Sequence, residues 1–156
     1  MLLSIDPGST QSAYCIMDEQ YKPVEFAKIP NYDLLTKIFS LDHKAVPVAV
    51  IEKIAGMGMA VGQEVFDTCN WSGRFHQALV IRGVQVEYVT RLQEKICLCG
   101  TARAKDPNIR QALLDRFGVV GVKANKGWFY GVSKDVWSAI AVGTTWMDKE
   151  KEAQND

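Results

Sequence analysis

The order of the apolar runs constrains the fold of this 156-residue chain more than any other feature. Three strand-sized runs come first, at residues 2–5, 12–17 and 24–29, and the turns between them are too short to hold a helix. Short connections favour antiparallel pairing of neighbouring strands. We therefore expect an antiparallel meander of three strands at the start of the chain.

After the meander, strands and helices alternate. A helix is expected over about 32–40, a strand over 46–51, a long helix over about 61–82 and a fifth strand over 84–89. The run at 46–51 is apolar almost without interruption, which is typical of a strand buried on both faces. This order predicts an α/β fold whose five-stranded mixed sheet has three antiparallel and then two parallel strands, flanked by helices.

The last third of the chain adds predicted helices at about 91–98, 106–117 and 134–149, and a Gly-rich, basic segment at 119–132. The length fits one domain, which we place at residues 1–150. The charged residues 151–156 are expected to form a disordered tail.

Composition excludes several classes of protein. No apolar run approaches the roughly 20 residues of a membrane span. The N-terminus lacks the basic region and long apolar stretch of a signal peptide, so a cytoplasmic protein is expected. The formal net charge is zero, which argues against a general basic coat for nucleic acid. A nuclease remains compatible with it, because acidic metal ligands offset a local basic patch in the total.

Three acidic residues stand at the ends of predicted elements. Asp6 follows the first strand, Glu52 follows the fourth, and Asp135 lies in the first turn of the last helix. If the first and fourth strands are parallel neighbours, Asp6 and Glu52 lie side by side and Asp135 can reach them. Clustered carboxylates repel one another, and a divalent cation relieves that repulsion. Oxygen ligands favour Mg²⁺ or Mn²⁺, and two such ions can hydrolyse a phosphodiester.

Each acid also has an ordinary interpretation. An Asp before Pro-Gly is commonly a turn residue, Glu52 can form a surface pair with Lys53, and Asp135 can complement the helix dipole. The functional interpretation gains from their combination, because Glu52 ends the most buried predicted strand.

These placements resemble the RuvC family of Holliday junction resolvases, within the RNase H-like superfamily. The resemblance covers about residues 2–147 and rests on segments in matching order: Ile5-Asp6-Pro7-Gly8, Val50-Ile51-Glu52-Lys53, Ala60-Val61-Gly62-Gln63, Tyr88-Val89-Thr90-Arg91 and Ser133–Ala141. It implies an RNase H-like fold and a metal-dependent endonuclease that cleaves four-way and other branched DNA, leaving 5′-phosphate and 3′-hydroxyl ends. Asp6, Glu52 and Asp135 would be its catalytic residues and ligands of two Mg²⁺ ions, with Mn²⁺ as a substitute. The compact length is similar to the versions carried by phages as well as by bacteria.

The chain departs from this family at Ser138, where the family usually carries a second acid on the last helix. The i, i+3 spacing from Asp135 still places Ser138 on the metal-facing side, as a weak neutral ligand. Water or another acid, such as Glu64, is the alternative ligand.

Phosphate contacts to DNA require basic residues. The candidates, each with a solvated surface as its alternative, are Arg91, Lys95, Arg103, Lys105, Lys123 and Lys126. The resemblance places Arg91, Lys95 and Lys105 near the cleft, Lys134 beside the scissile phosphate, and the loop with Met57 and Met59 at the junction centre. The alternative interpretation is that this loop is only a mobile hinge. The aromatic residues of segment 126–131 either stack on an unpaired base or plug their own loop.

A four-way junction has two-fold symmetry, so two symmetric cuts require two active sites, which a homodimer supplies. We expect helix 61–82 to form much of the interface, because large side chains are distributed around much of its circumference: Phe66, Trp71, Phe75 and His76.

Two other functions are considered. Ser138 favours a non-catalytic protein of the same fold that binds branched DNA. The segment Asp6-Pro7-Gly8-Ser9-Thr10 also resembles the phosphate loop of the actin and sugar-kinase fold, which binds ATP between two such domains.

Overall fold

The computed structural model describes residues 1–156, and none of its helices is both long enough and apolar enough to cross a membrane. The elements, in chain order, are β1 (Leu2–Asp6), β2 (Gln11–Met17), β3 (Pro23–Pro30), α1 (Asn31–Phe39), β4 (Val48–Lys53), α2 (Gln63–Ile81), β5 (Gln85–Thr90), α3 (Arg91–Cys99), α4 (Asp106–Phe117), β6 (Gly121–Val122), β7 (Asn125–Lys126) and α5 (Lys134–Asn155).

Five of the strands form one sheet in the order β3-β2-β1-β4-β5. β1 pairs antiparallel with β2, and β2 with β3, whereas β1 pairs parallel with β4, and β4 with β5. The predicted mixed sheet is therefore confirmed, strand by strand. β6 and β7 form a separate hairpin in the Gly-rich segment. This hairpin has no signal in the sequence, because two residues per strand are too few for an alternating pattern.

Alternate residues of each strand face opposite sides of the sheet, and each side has its own core. On one side, Ile5 and Ile51 pack with Leu34 of α1 and Phe75 of α2. On the other side, Val50 and its neighbours pack against α5, whose middle is buried from Ala139 onward. A sheet covered on both faces explains why β4 is apolar without interruption.

Helix α5 approaches the sheet unusually closely at Gly143. A Cβ placed there would lie 2.8 Å from the end of the Met17 side chain and 3.1 Å from Cβ of Ser4. The glycine thus allows the helix backbone to lie against β1 and β2, which fixes the position of its N-terminal turn over the end of the sheet.

Helix α5 also extends beyond its expected end near residue 149, and residues 151–155 continue the helix instead of forming a disordered tail. Two contacts anchor this last section. Asp148 accepts hydrogen bonds from Arg116 and from the Tyr21 hydroxyl, and the Lys151 ammonium lies 4.1 Å from the centre of the Tyr21 ring. The Glu, Lys, Ala and Gln residues that follow Asp148 are good helix formers, so the helix continues past these contacts.

Candidate active site

The strand ends place a row of side chains on the face that α5 covers. The register pairs Asp6 with Ala13, and Ala13 with Lys28, across β1, β2 and β3. Parallel pairing of β1 with β4 brings Glu52 beside Asp6. Paired residues on neighbouring strands point to the same face. The row therefore runs Glu52, Asp6, Ala13, Lys28, and the small Ala13 leaves room for Lys28 to extend toward the acids.

The turn after Asp6 is held by a buried hydrogen-bond network. Asn31, at the start of α1, donates from Nδ2 to the Gly8 carbonyl at 2.9 Å. The Ser12 hydroxyl donates to Asn31 Oδ1 at 2.6 Å and accepts from the Gly8 amide at 3.0 Å. A Cβ on Gly8 would overlap the carbonyl oxygen of Gln11, so only glycine fits. These contacts fix the end of β1 and therefore the backbone that carries Asp6.

The acids of the row repel one another in a partly buried environment. Burial raises the pKa of Asp6 well above its usual range, and the Glu52 carboxyl, which lies within hydrogen-bonding reach, adds to the rise. The charges of Glu94 and Asp135 contribute further. Without a counter-cation, Asp6 is thus held in its protonated form at neutral pH.

Glu94, in the first turn of α3, is an acid of this cluster that the sequence analysis missed. Its side chain is 0% exposed. Arg91 Nη1 donates to its Oε2 at 2.6 Å, whereas Oε1 has no hydrogen-bond partner. Burial and the charge of Glu52 raise the pKa of Glu94 above its usual range, although Arg91 opposes the rise.

Asp135 lies near Asp6 but is engaged elsewhere. Lys28 Nζ donates to its Oδ2 at 2.5 Å, and both side chains remain partly exposed. A cavity of about 230 Å³ beside this pair is lined by Asp6, Lys28, Asp135 and also Glu64, the alternative ligand considered above. In this arrangement no three His, Cys, Asp or Glu side chains are grouped so that they could hold a metal ion.

Ser138 faces a second, larger cavity of about 550 Å³ on the other side of Asp135. Three basic residues line it, two of which were predicted to contact DNA: Arg91, Lys134 and the unpredicted Arg110. Arg91 also pairs with Asp106 at the start of α4. The Arg110 guanidinium lies 5.2 Å from the ring centre of Trp137. Asp135 thus lies between two cavities, each of which is lined by at least one basic side chain.

The other predicted DNA contacts line neither cavity. Lys95 is half-buried, whereas the exposed residues are Arg103, Lys105, Lys123 and Lys126. Met57 and Met59 are 79% and 75% exposed in the loop between β4 and α2. The DNA-binding roles of these basic residues and methionines remain predictions. Any contact that they make would be to DNA outside the two cavities.

The aromatic segment before α5 forms a plug, which was one of its two predicted roles. Phe129 is fully buried and packs against Trp137 at 4.8 Å between ring centres. Trp128 stacks on Phe117 of α4 at 5.7 Å. With these rings engaged, the segment supports the N-terminal turn of α5 from below.

Lys28, Glu94 and Arg110 had weak signals in the sequence. Lys28 lies in a strand whose one other charged residue, Glu25, is exposed. Glu94 follows Arg91 by three residues in a predicted helix, which is the spacing of an ordinary surface pair. Only the sheet register and the packing of α3 against α5 bring Lys28 and Glu94 toward the other acids, and only the packing of α4 brings Arg110 to the larger cavity.

Comparisons with known proteins give a clear result at the level of structure. A scan of protein families and a search of curated proteins both find no match. RuvC from Thermus thermophilus has 14% identity and a TM-score of 0.69, covering 97% of this chain and 96% of its own. T. thermophilus RuvC in complex with Holliday junction substrate has 15% identity, a TM-score of 0.67 and coverages of 92% and 90%.

A eukaryotic protein is also similar. The yeast mitochondrial Holliday junction resolvase Ydc2 has 12% identity and a TM-score of 0.63, covering 99% of this chain and 80% of its own. The shared features are the five-stranded mixed sheet and the helices that flank it. This chain therefore has the fold of the RuvC-like Holliday junction resolvases, as the sequence resemblance implied.

Proposed function

We propose that this protein is a divalent-metal-dependent endonuclease that cleaves Holliday junctions and other branched DNA, leaving 5′-phosphate and 3′-hydroxyl ends. One observation carries the proposal: Asp6 and Glu52 lie side by side at the ends of parallel strands, under the first turn of a helix that carries Asp135. The fold likeness adds support, since one similar structure is of RuvC bound to a Holliday junction substrate.

The donor set fits Mg²⁺ or Mn²⁺. Its atoms are carboxylate and hydroxyl oxygens. The pKa of Asp6, raised by burial and then by the charge of Glu52, supports a cation at this position, because a cation would favour the charged form of Asp6. Asp6, Glu52 and Asp135 would hold the metal, with Ser138 as a weak neutral donor, and two ions per site are expected. When bound, such ions activate water and stabilise the leaving 3′-oxygen.

The residues of the chain itself would bind and orient the DNA. Arg91, Arg110 and Lys134 line the larger cavity and supply charge for backbone phosphates next to Asp135. Lys28 neutralises Asp135 until a cation arrives, and its ammonium then lies beside the cleft. Met57 and Met59 are exposed in the loop that follows Glu52, and they would wedge between bases at the junction centre.

A cleavage assay tests the function. Four-way and nicked DNA should be cut in Mg²⁺ or Mn²⁺, and not in EDTA. Asp6→Asn should abolish cleavage while largely preserving DNA binding, because it removes one carboxylate and leaves the basic cavity intact. Asp33→Asn, an exposed acid on α1, serves as the matched control. Normal cutting by Asp6→Asn would show that Asp6 does not hold the metal.

A non-catalytic branched-DNA-binding protein is the second candidate. Two observations favour it: Ser138 replaces an acid, and Asp135 is already paired with Lys28. The same assay decides between the candidates. Junction binding without cleavage in either metal would establish the non-catalytic function and remove the nuclease proposal.

We also infer a homodimer through α2. Phe66 is 58% exposed, Val80 49% and Ile81 64%, and all three lie on its outer side. Tyr32 of α1 is 65% exposed and packs on Trp71 of α2. The interface is narrower than the sequence indicated, because Phe75 is fully buried in the core of its own subunit. A bacterial or phage origin and a cytoplasmic location stay predictions.

A further inference from the structure

Glu94 is the least expected charge in the molecule. Its side chain is completely buried, and burying a carboxylate is costly unless it is paired and fully hydrogen-bonded. Arg91 satisfies only Oε2, so Oε1 is a buried oxygen without a partner. Buried oxygens of this kind are rare in native proteins, and a bound ion is one of their established explanations.

The position of Glu94 places its carboxyl in the acid cluster. β5 pairs with β4 so that Glu52 lies opposite Val89, and α3 starts two residues later. The charge of Glu94 raises the pKa of Asp6, and the charge of Glu52 raises the pKa of Glu94. The Glu94 carboxyl therefore lies close to Asp6 and Glu52. Arg91, which holds Oε2, lines the same cavity as Ser138. The Arg91–Glu94 ion pair therefore adjoins the cavity to which Ser138 provides only a hydroxyl.

We propose that Glu94 is a fourth carboxylate of the metal site, so that α3 supplies an acid where α5 carries Ser138. This inference rests on the proposed metal-dependent function. Oε1 faces the cation together with Asp6 and Glu52, while Arg91 keeps its bond to Oε2 and orients the carboxylate. The ion pair is therefore part of the ligand's support, in the way that outer hydrogen bonds orient metal-binding carboxylates.

A purely structural role for Glu94 makes a different prediction. If Glu94 served only to anchor Arg91, removing either partner would have the same effect on cation binding. If Glu94 is a ligand, the two variants diverge. Arg91→Gln keeps the Glu94 carboxylate and loses only a bond that orients it, so it should weaken cation binding less than Glu94→Gln does.

The test measures Mn²⁺ binding to the full chain by isothermal titration and by electron paramagnetic resonance, without DNA. We expect Glu94→Gln to weaken Mn²⁺ binding by about 10-fold or more. Ser138→Asp introduced into Glu94→Gln should restore most of the affinity, because it supplies an acid three residues after Asp135 on the same helix. Circular dichroism confirms that each variant is folded, and Glu94→Asp replaces Glu94→Gln if the latter is not.

The outcomes are distinct. Wild-type affinity in Glu94→Gln, equal losses in Glu94→Gln and Arg91→Gln, or no Mn²⁺ binding by the wild type would each overturn the ligand role. Cleavage is measured separately. A wild type that binds Mn²⁺ through Glu94 but cuts no branched DNA would remove the proposed nuclease function and leave this inference standing.

Discussion

At the scale of single residues, the acids of the site have opposite effects on stability and on metal binding. Asp6 and Glu94 lie where burial and the charge of the neighbouring Glu52 disfavour their charged forms. Such an arrangement lowers the stability of the metal-free protein, and a cation recovers it. Functional sites commonly show this conflict between local stability and chemistry.

Asp6 is therefore predicted to destabilise the protein when no metal is present. Because burial raises the pKa of Asp6, folding at neutral pH requires its protonation. Asp6→Asn removes that cost at nearly constant volume. It should raise the melting temperature in EDTA by about 3–6 °C, corresponding to roughly 1–2 kcal/mol. The same variant should lose most of the stabilisation that Mg²⁺ gives the wild type.

Differential scanning fluorimetry with EDTA and with Mg²⁺ measures both effects. Asp33→Asn, whose carboxyl is exposed, should behave like the wild type in each condition. A melting temperature of Asp6→Asn below that of the wild type in EDTA would mean that Asp6 stabilises the metal-free fold.

Residues that end regular elements were predictable from the sequence, and residues recruited by packing were not. Asp6, Glu52 and Asp135 were identified because each directly ends or begins an apolar segment. Glu94 escaped because its burial depends on how α3 packs against α5. Whether the predicted acids bind metal stays untested, as do the predicted DNA contacts.

At the scale of elements, the sequence predicted all five sheet strands and all five helices. The hydrophobic periodicity and the turn residues depend only on the local sequence, so they can be identified without knowledge of the fold. The exceptions were the two-residue strands β6 and β7, and the end of α5, where contacts of Asp148 with distant residues extend the helix. Such contacts join residues far apart in sequence and leave no local pattern.

The approach of α5 to the sheet gives a prediction at this scale. Gly143→Val should force the helix away from Ser4 and Met17, with a loss of about 1–3 kcal/mol in the free energy of unfolding. Gly143→Ala should cost less, since the end of the Met17 side chain can move. Chemical denaturation measures both variants.

The comparison requires a helical glycine without such a contact. A Cβ added at Gly73 in α2 would meet no atom within 4 Å, so Gly73→Ala should stabilise the helix slightly. Equal effects of alanine at both positions would show that close packing at Gly143 is unimportant. Because α5 also carries Asp135, Gly143→Val should further weaken metal binding.

At the scale of the whole molecule, one cluster joins the β2–β3 turn, α4 and α5. Asp148 of α5 accepts hydrogen bonds from Tyr21 and Arg116, which are distant in sequence. Burial raises the pKa of Asp148, but the bonds from Arg116 and Tyr21 outweigh that effect and lower it overall. The cluster ties the C-terminal half of α5 to two distant parts of the chain.

This cluster predicts part of the acid sensitivity of the protein. Because the folded pKa of Asp148 lies below its unfolded value of about 3.9, its stabilisation is fully present above that value. It is lost as the pH falls through the folded pKa. Asp148→Asn should therefore lower the melting temperature by about 2–5 °C at pH 7, and the difference should shrink as the pH falls below about 3.9. Thermal melts across this range, with the exposed Asp115→Asn as control, would contradict the assignment if the gap stayed constant.

The proposed assembly gives the last prediction. If α2 forms a two-fold interface, then Phe66→Glu places a charge in its apolar surface and should convert the dimer to a monomer at micromolar concentration. Val122→Glu, which charges an equally exposed residue on the distant β6–β7 hairpin, should leave the dimer intact. Light scattering after size exclusion measures the masses, and a wild type that is monomeric at high concentration would contradict the interface. Paired cuts at a four-way junction should also become uncoupled in Phe66→Glu, because each monomer then carries one active site.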